Sequence, residues 1–130
     1  MPPVPKLGLS YTRAQINEMV GGGVQALLPM RGSRVVCGCF KLDASPDAPN
    51  EVLVAPGPRR EMSAKAAVIQ QTAIPIFLKK EVGEFEYIGK YKPRRYLDRD
   101  HALLAEEPRA KREDVAGILY LEPSEELPSK

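Results

Sequence analysis

The stretch Glu84-Phe-Glu-Tyr-Ile-Gly-Lys-Tyr-Lys-Pro-Arg-Arg-Tyr96 constrains this chain's fold more than any other. Its aromatic residues recur at every second position, the period of a strand and not of a helix. Alternation puts Phe85, Tyr87, Gly89 and Tyr91 on one face and Glu84, Glu86, Ile88, Lys90 and Lys92 on the other. A strand with one aromatic side must join a sheet and turn that side toward a core or a ligand. From Lys90 to Tyr96 the segment also carries Lys90, Lys92, Arg94 and Arg95 and no acidic residue. Basic residues interleaved with rings suit contacts to phosphate and stacking on bases. The inner face of any sheet, with a solvated outer face, shows the same pattern. Tyr87 and Tyr91 therefore stand either as core or as pocket.

The rest of the chain supplies partners for this strand. Residues 1–9, with three prolines, read as a flexible arm. Thr12 and Gln15 have the spacing of a capping box, and Ile16, Met19 and Val20 share a face before Gly21-Gly22-Gly23, so a short helix is expected over Thr12–Val20. Arg34-Val-Val-Cys-Gly-Cys-Phe-Lys41 reads as a buried strand, followed by a Pro- and Asp-rich loop and a strand over Glu51–Ala55. Pro58 suits the first turn of a helix running to about Gln71, with Met62, Ala66 and Ile69, together with Ala64, Ala67 and Val68, on its apolar side. Ala73–Lys79 reads as a strand whose Pro75 implies an edge or an irregular start. The passage from Glu51 through this helix to Lys79 has the form of a βαβ crossover. A charged helix is expected over 100–112 and a strand over Ala116–Glu122, leaving 10–122 as a single domain and 123–130 as a tail.

Composition narrows the class. A chain of 130 residues, 43% apolar and 28% charged, holds one globular core, and its longest apolar runs are too short to span a bilayer. No membrane role is expected. The N-terminus lacks the order of a secretory signal, and two cysteines make no disulfide framework, so a cytoplasmic location is expected. The net charge of +2 favours no partner; only the placement of charge can.

Other motifs are sparse. Gly57-Pro58-Arg59-Arg60 would set Arg59 and Arg60 at a helix start, where the dipole favours an anion; they are equally first-turn residues in solvent. Cys37 and Cys39 lie on the same side of a strand, but with His101 alone to add to them they do not complete a zinc site, and no metal or other cofactor is expected. Within an apolar strand they read as small core residues. No nucleophile elbow, phosphate loop or paired carboxylates appear, so nothing positive supports an enzyme.

Ile74-Pro-Ile-Phe-Leu-Lys79 followed by Phe85-Glu-Tyr-Ile-Gly-Lys-Tyr91 resembles domains found beside HNH-type restriction endonucleases. The likeness extends to Gly21–Pro29, to Arg34–Phe40 and to the Pro46–Pro49 loop, so it touches most of residues 12–122. Such domains are similar in kind to the PUA-like group, including SRA and EVE modules, whose small β-barrels bind modified bases or RNA. The chain departs from that setting by carrying no HNH motif. The resemblance implies a reader of modified nucleic acid, DNA or RNA, with a nuclease as its protein partner.

The expected protein is thus α+β: a curved or barrel-like mixed sheet of about five strands with two or three helices. The expected site is Tyr87, Lys90, Tyr91, Lys92, Arg94 and Arg95, with Arg59 and Arg60 as further phosphate contacts. A protein-interaction module of a larger complex and a small enzyme with an unrecognised site are the alternatives; oligomeric state is left open.

Overall fold

A computed structural model describes residues 4–22, 27–79, 84–98 and 115–124. Its elements in chain order are β1 (Ser10–Tyr11), α1 (Arg13–Val20), β2 (Met30–Arg31), β3 (Arg34–Val35), β4 (Gly38–Lys41), β5 (Glu51–Val54), α2 (Pro58–Gln70), β6 (Ile74–Lys79), β7 (Phe85–Asp98) and β8 (Gly117–Pro123). Five strands in the order β4-β6-β7-β8-β5 form a nearly closed, barrel-like mixed sheet, to which β1 adds along β7. Among the described residues two helices pack on this sheet, as expected of the α+β class. The helix expected over 100–112 and the tail beyond 124 lie outside the described residues.

Local signals explain most of the elements. Thr12 and Gln15 form a reciprocal capping box, so α1 begins where orphan amides are satisfied. In α2, Pro58 takes the first turn and Gln71 closes the helix in the left-handed conformation, its N–H bonded to Ala67. Pro75 lies at an irregular start: β6 is paired on both sides from Ile76 to Leu78, but at Pro75 only β7 is alongside. A missing amide costs nothing there.

Three expectations are corrected. The segment Arg34–Lys41 is not one strand: Val35 pairs with Met30 in a separate hairpin, and Gln70 of α2 holds both its N–H and its carbonyl. The main sheet resumes only at Gly38. The crossover is also different, because β5 pairs β8 and β6 pairs β4 in parallel; the chain between β4 and β6 makes the crossing, with β5 and α2 inside it. Finally, α2 buries Ala64 and Ala67 as expected, together with Ser63, but Met62 and Ile69 are exposed. Small residues let the helix axis approach the barrel closely, and Met62 and Ile69, seven residues apart, fall on the helix's outer face.

The alternation along β7 is broken twice. Phe77 faces Tyr87 but Ile76 faces Gly89, so one extra residue is inserted on β7. A second insertion falls between Pro93 and Arg95 opposite β8. Gly89 takes φ +111°, a conformation that L side chains rarely adopt. Each insertion bends the strand and shifts the side-chain parity by one, which curls the sheet. Phe85 and Tyr87 accordingly pack on one face with Ile16, Cys37, Cys39 and Phe77, beneath α1. Ile88, Tyr91 and Tyr96 pack on the other, against the core of Phe40, Val52, Ile76 and Leu119 with Ala64 and Ala67 of α2. The single aromatic face expected for Phe85, Tyr87 and Tyr91 is therefore divided between two clusters.

Candidate nucleic-acid interface

The first of these insertions turns Lys90 and Lys92 away from the α2-side core. Tyr91 is the last point at which β7 has neighbours on both sides, Ile74 of β6 and Pro123 of β8. Around it opens a cavity of about 660 Å³ lined by Gln71, Thr72, Ala73, Lys90, Lys92, Arg94, Glu122, Pro123 and Ser124. Three cations at alternate positions of one strand face one carboxylate. Arg94 Nε lies 3.0 Å from Glu122 Oε2, which holds that guanidinium at the cavity's edge. Gln71, Thr72 and Ser124 add amide and hydroxyl groups to the wall. Such a wall suits a phosphate group better than a neutral ligand.

The other expected site residues are dispersed. Tyr87 is 8% exposed, its ring 5.2 Å from that of Phe77, and its backbone bonds the arm through Gly8 and Leu9. Burial raises its phenol pKa. Tyr91 is half-buried against the α2-side core. Arg95 is exposed and sits 4.7 Å from the ring of Tyr120, an arginine stacked on a neighbouring strand's tyrosine. At the start of α2 the acidic partner is internal: Glu61 Oε2 accepts the Gly57 N–H at 3.2 Å. Arg60 turns back to the Pro56 carbonyl at 3.1 Å, and Arg59 stays in solvent. The structure thus gathers Lys90, Lys92 and Arg94 and separates them from Tyr87, Arg59 and Arg60.

A second cavity, of about 560 Å³, opens where the end strands β4 and β5 approach each other. Ser45, on the turn after β4, accepts the Leu53 N–H of β5 at 3.0 Å and bridges that seam. The cavity is lined by Arg13, Lys41, Arg60 and Lys79 around Leu27, Cys39, Leu53 and Phe85. Sequence reading missed Arg13, Lys41 and Lys79. Lys41 and Lys79 each end an apolar strand, a visible signal, but only the sheet order makes them neighbours. Cys37 and Cys39 are buried with their sulfurs 4.0 Å apart, and the contact with Cys39 together with burial pushes the Cys37 thiol upward, away from the reactive thiolate. Among the described residues no cluster of three or more potential ligands could hold a metal ion.

No protein-family model and no curated protein sequence matches the chain. Solved structures do. The modification-dependent restriction endonuclease TagI superposes with a TM-score of 0.63 at 12% identity, over 97% of this chain and 52% of TagI. This chain thus spans about half of that enzyme's length. The SRA domain of SUVH5, solved with hemimethylated CG DNA, gives 0.60 at 11% identity over 100% of this chain and 97% of that one. The same domain with fully methylated CG DNA gives 0.62 at 11% identity, over 98% and 95% of the two chains. Identities this low establish a fold and nothing further. That fold is SRA-like, within the PUA-like group.

Proposed function

We propose that this chain is a DNA-binding module that reads modified bases and performs no cleavage itself. The observation that carries the reading is the cavity at the bend of β7, where Lys90, Lys92 and Arg94 project together beside Thr72 and Ser124. A polyanion is the partner such a wall accepts, and its phosphates would sit among these three side chains. The choice of DNA and of modified bases is supported by the fold, which two SUVH5 structures present in complex with methylated DNA and which TagI, a modification-dependent enzyme, also contains. In this reading Tyr87 serves packing rather than base stacking, while Tyr91 supports the strand that carries the cations. Arg95, stacked on Tyr120, extends the basic edge beyond the cavity.

The test is fluorescence anisotropy with matched duplexes, unmodified and carrying 5-methylcytosine, at several salt concentrations. The modified duplex should bind more tightly. Lys90→Ala/Lys92→Ala/Arg94→Ala should weaken both and lower the slope of log K against log salt by about 2–3, at roughly 0.9 for each phosphate no longer neutralised. Equal affinity for the two duplexes would reduce the module to a plain polyanion binder and defeat the reading.

A further inference from the structure

We propose that the seam cavity between β4 and β5 is a second phosphate-binding site, so that the module grips its ligand at two separate points. Four cations from four elements line it: Arg13 at the first position of α1, Lys41 of β4, Arg60 in the first turn of α2, and Lys79 of β6. No carboxylate is among the described lining residues. Among the described residues, neither Lys41, Arg60 nor Lys79 has an ion-pair partner.

The crowding of these charges is specific. Lys41 and Lys79 are register partners on the parallel pair β4–β6, which places like charges on adjacent strands. Lys79 Nζ and Arg13 Cζ each lie 5.6 Å from the centre of the Phe85 ring, so that ring carries two cations. Arg60 is held in place by the Pro56 carbonyl. The like charges of Lys41, Arg60 and Lys79 repel one another in the absence of an anion, and their proximity becomes favourable when one enters. The apolar floor of Leu27, Leu53 and Phe85 lowers the local dielectric and strengthens the attraction.

The site's position gives it a role. Lys79 shares a sheet face with Phe77, and through the register pairs Phe77–Tyr87 and Pro75–Lys90 that face continues to Lys90. The two cavities lie at opposite ends of β6. Ala73 lines one and Lys79 the other, about 20 Å apart at ~3.3 Å per residue. The intervening surface is covered by α1 through Ile16. A ligand touching both cavities must be long, and its phosphates must be separated by that span. This assignment of the phosphate to a nucleic-acid backbone rests on the DNA-binding reading above; the anion site itself does not.

Two measurements on the full chain separate these. Inorganic pyrophosphate should raise the melting temperature of the Lys90→Ala/Lys92→Ala/Arg94→Ala variant saturably, and adding Lys41→Ala/Lys79→Ala should abolish that rise while adding Lys41→Arg/Lys79→Arg retains it. In duplex binding, Lys41→Ala/Lys79→Ala should weaken affinity about 10–100-fold and lower the salt slope by about 2, independently of the Lys90/Lys92/Arg94 substitutions. Loss of the pyrophosphate effect with an unchanged duplex slope supports a phosphate site that serves a free phosphoryl anion. A wild type that binds no duplex defeats the DNA reading, and the pyrophosphate arm then decides the site alone. If the alanine pair alters neither measurement, the second site does not exist.

Discussion

Arg94 and Glu122 face each other across the β7–β8 pair, Nε to Oε2 at 3.0 Å, at the edge of the cavity formed with Lys90 and Lys92. Both side chains are about half exposed, 52% and 54%, so the pair contributes little to stability. It does restrain the cation and lower the local positive potential. Glu122→Gln should therefore raise duplex affinity about 3–10-fold. Its unfolding free energy should change by less than about 1 kcal/mol. Anisotropy titrations and urea denaturation check the two halves.

Tyr87 gives the opposite balance. It is buried beside Phe77, and the cavity at the β7 bend does not include it. Tyr87→Ala should cost about 3–5 kcal/mol of stability, the range for emptying a buried aromatic position. At a temperature where the variant remains folded, its duplex affinity should stay within about 2-fold of wild type, a difference of ~0.4 kcal/mol. A selective loss of affinity for the modified duplex, with stability intact, would show instead that this ring contacts a base.

Gly89 sits at φ +111° where β7 gains its first extra residue. There is space for a methyl group, with Leu7 at 3.7 Å from a Cβ built there, so strain and not collision sets the cost. Gly89→Ala should destabilise the domain by about 1–3 kcal/mol. It should also weaken duplex binding, because the parity of Lys90 and Lys92 depends on that bend. Denaturation midpoints and salt slopes measure both effects.

Tyr96 packs over Gly117, where any Cβ would come within 2.5 Å of the phenol. Its hydroxyl is buried and finds no hydrogen-bond partner among the described residues. Burial, with the carboxylates of Glu61 and Asp98 adding to it, pushes its pKa from 10.0 to about 12. The folded state thus holds this proton more tightly than the unfolded chain does. Stability from this group is complete below pH 10 and falls as pH rises from about 10 to about 12. Tyr96→Phe should flatten that alkaline fall, and at neutral pH it should leave stability unchanged or raise it by up to about 1 kcal/mol. Melting curves at pH 8 and pH 11 test it.

Elements whose signals are local are legible in the order of residues. The capping box at Thr12 and Gln15, Pro58 at the start of α2, and the strands at Ile74–Lys79 and Phe85–Asp98 all follow from spacing and backbone restriction. The charge content of the β7 site, Lys90, Lys92 and Arg94, is equally visible there. Which way those residues point depends on the assembled sheet. An inserted residue reverses every later side chain of a strand, and a bulge exists only relative to the neighbouring strand, so Phe85 and Tyr87 could not be separated from Tyr91 before β6 was in place. Pairing settles the rest: Lys41 and Lys79 lie far apart in the chain, and only the parallel register of β4 and β6 makes them one patch of charge.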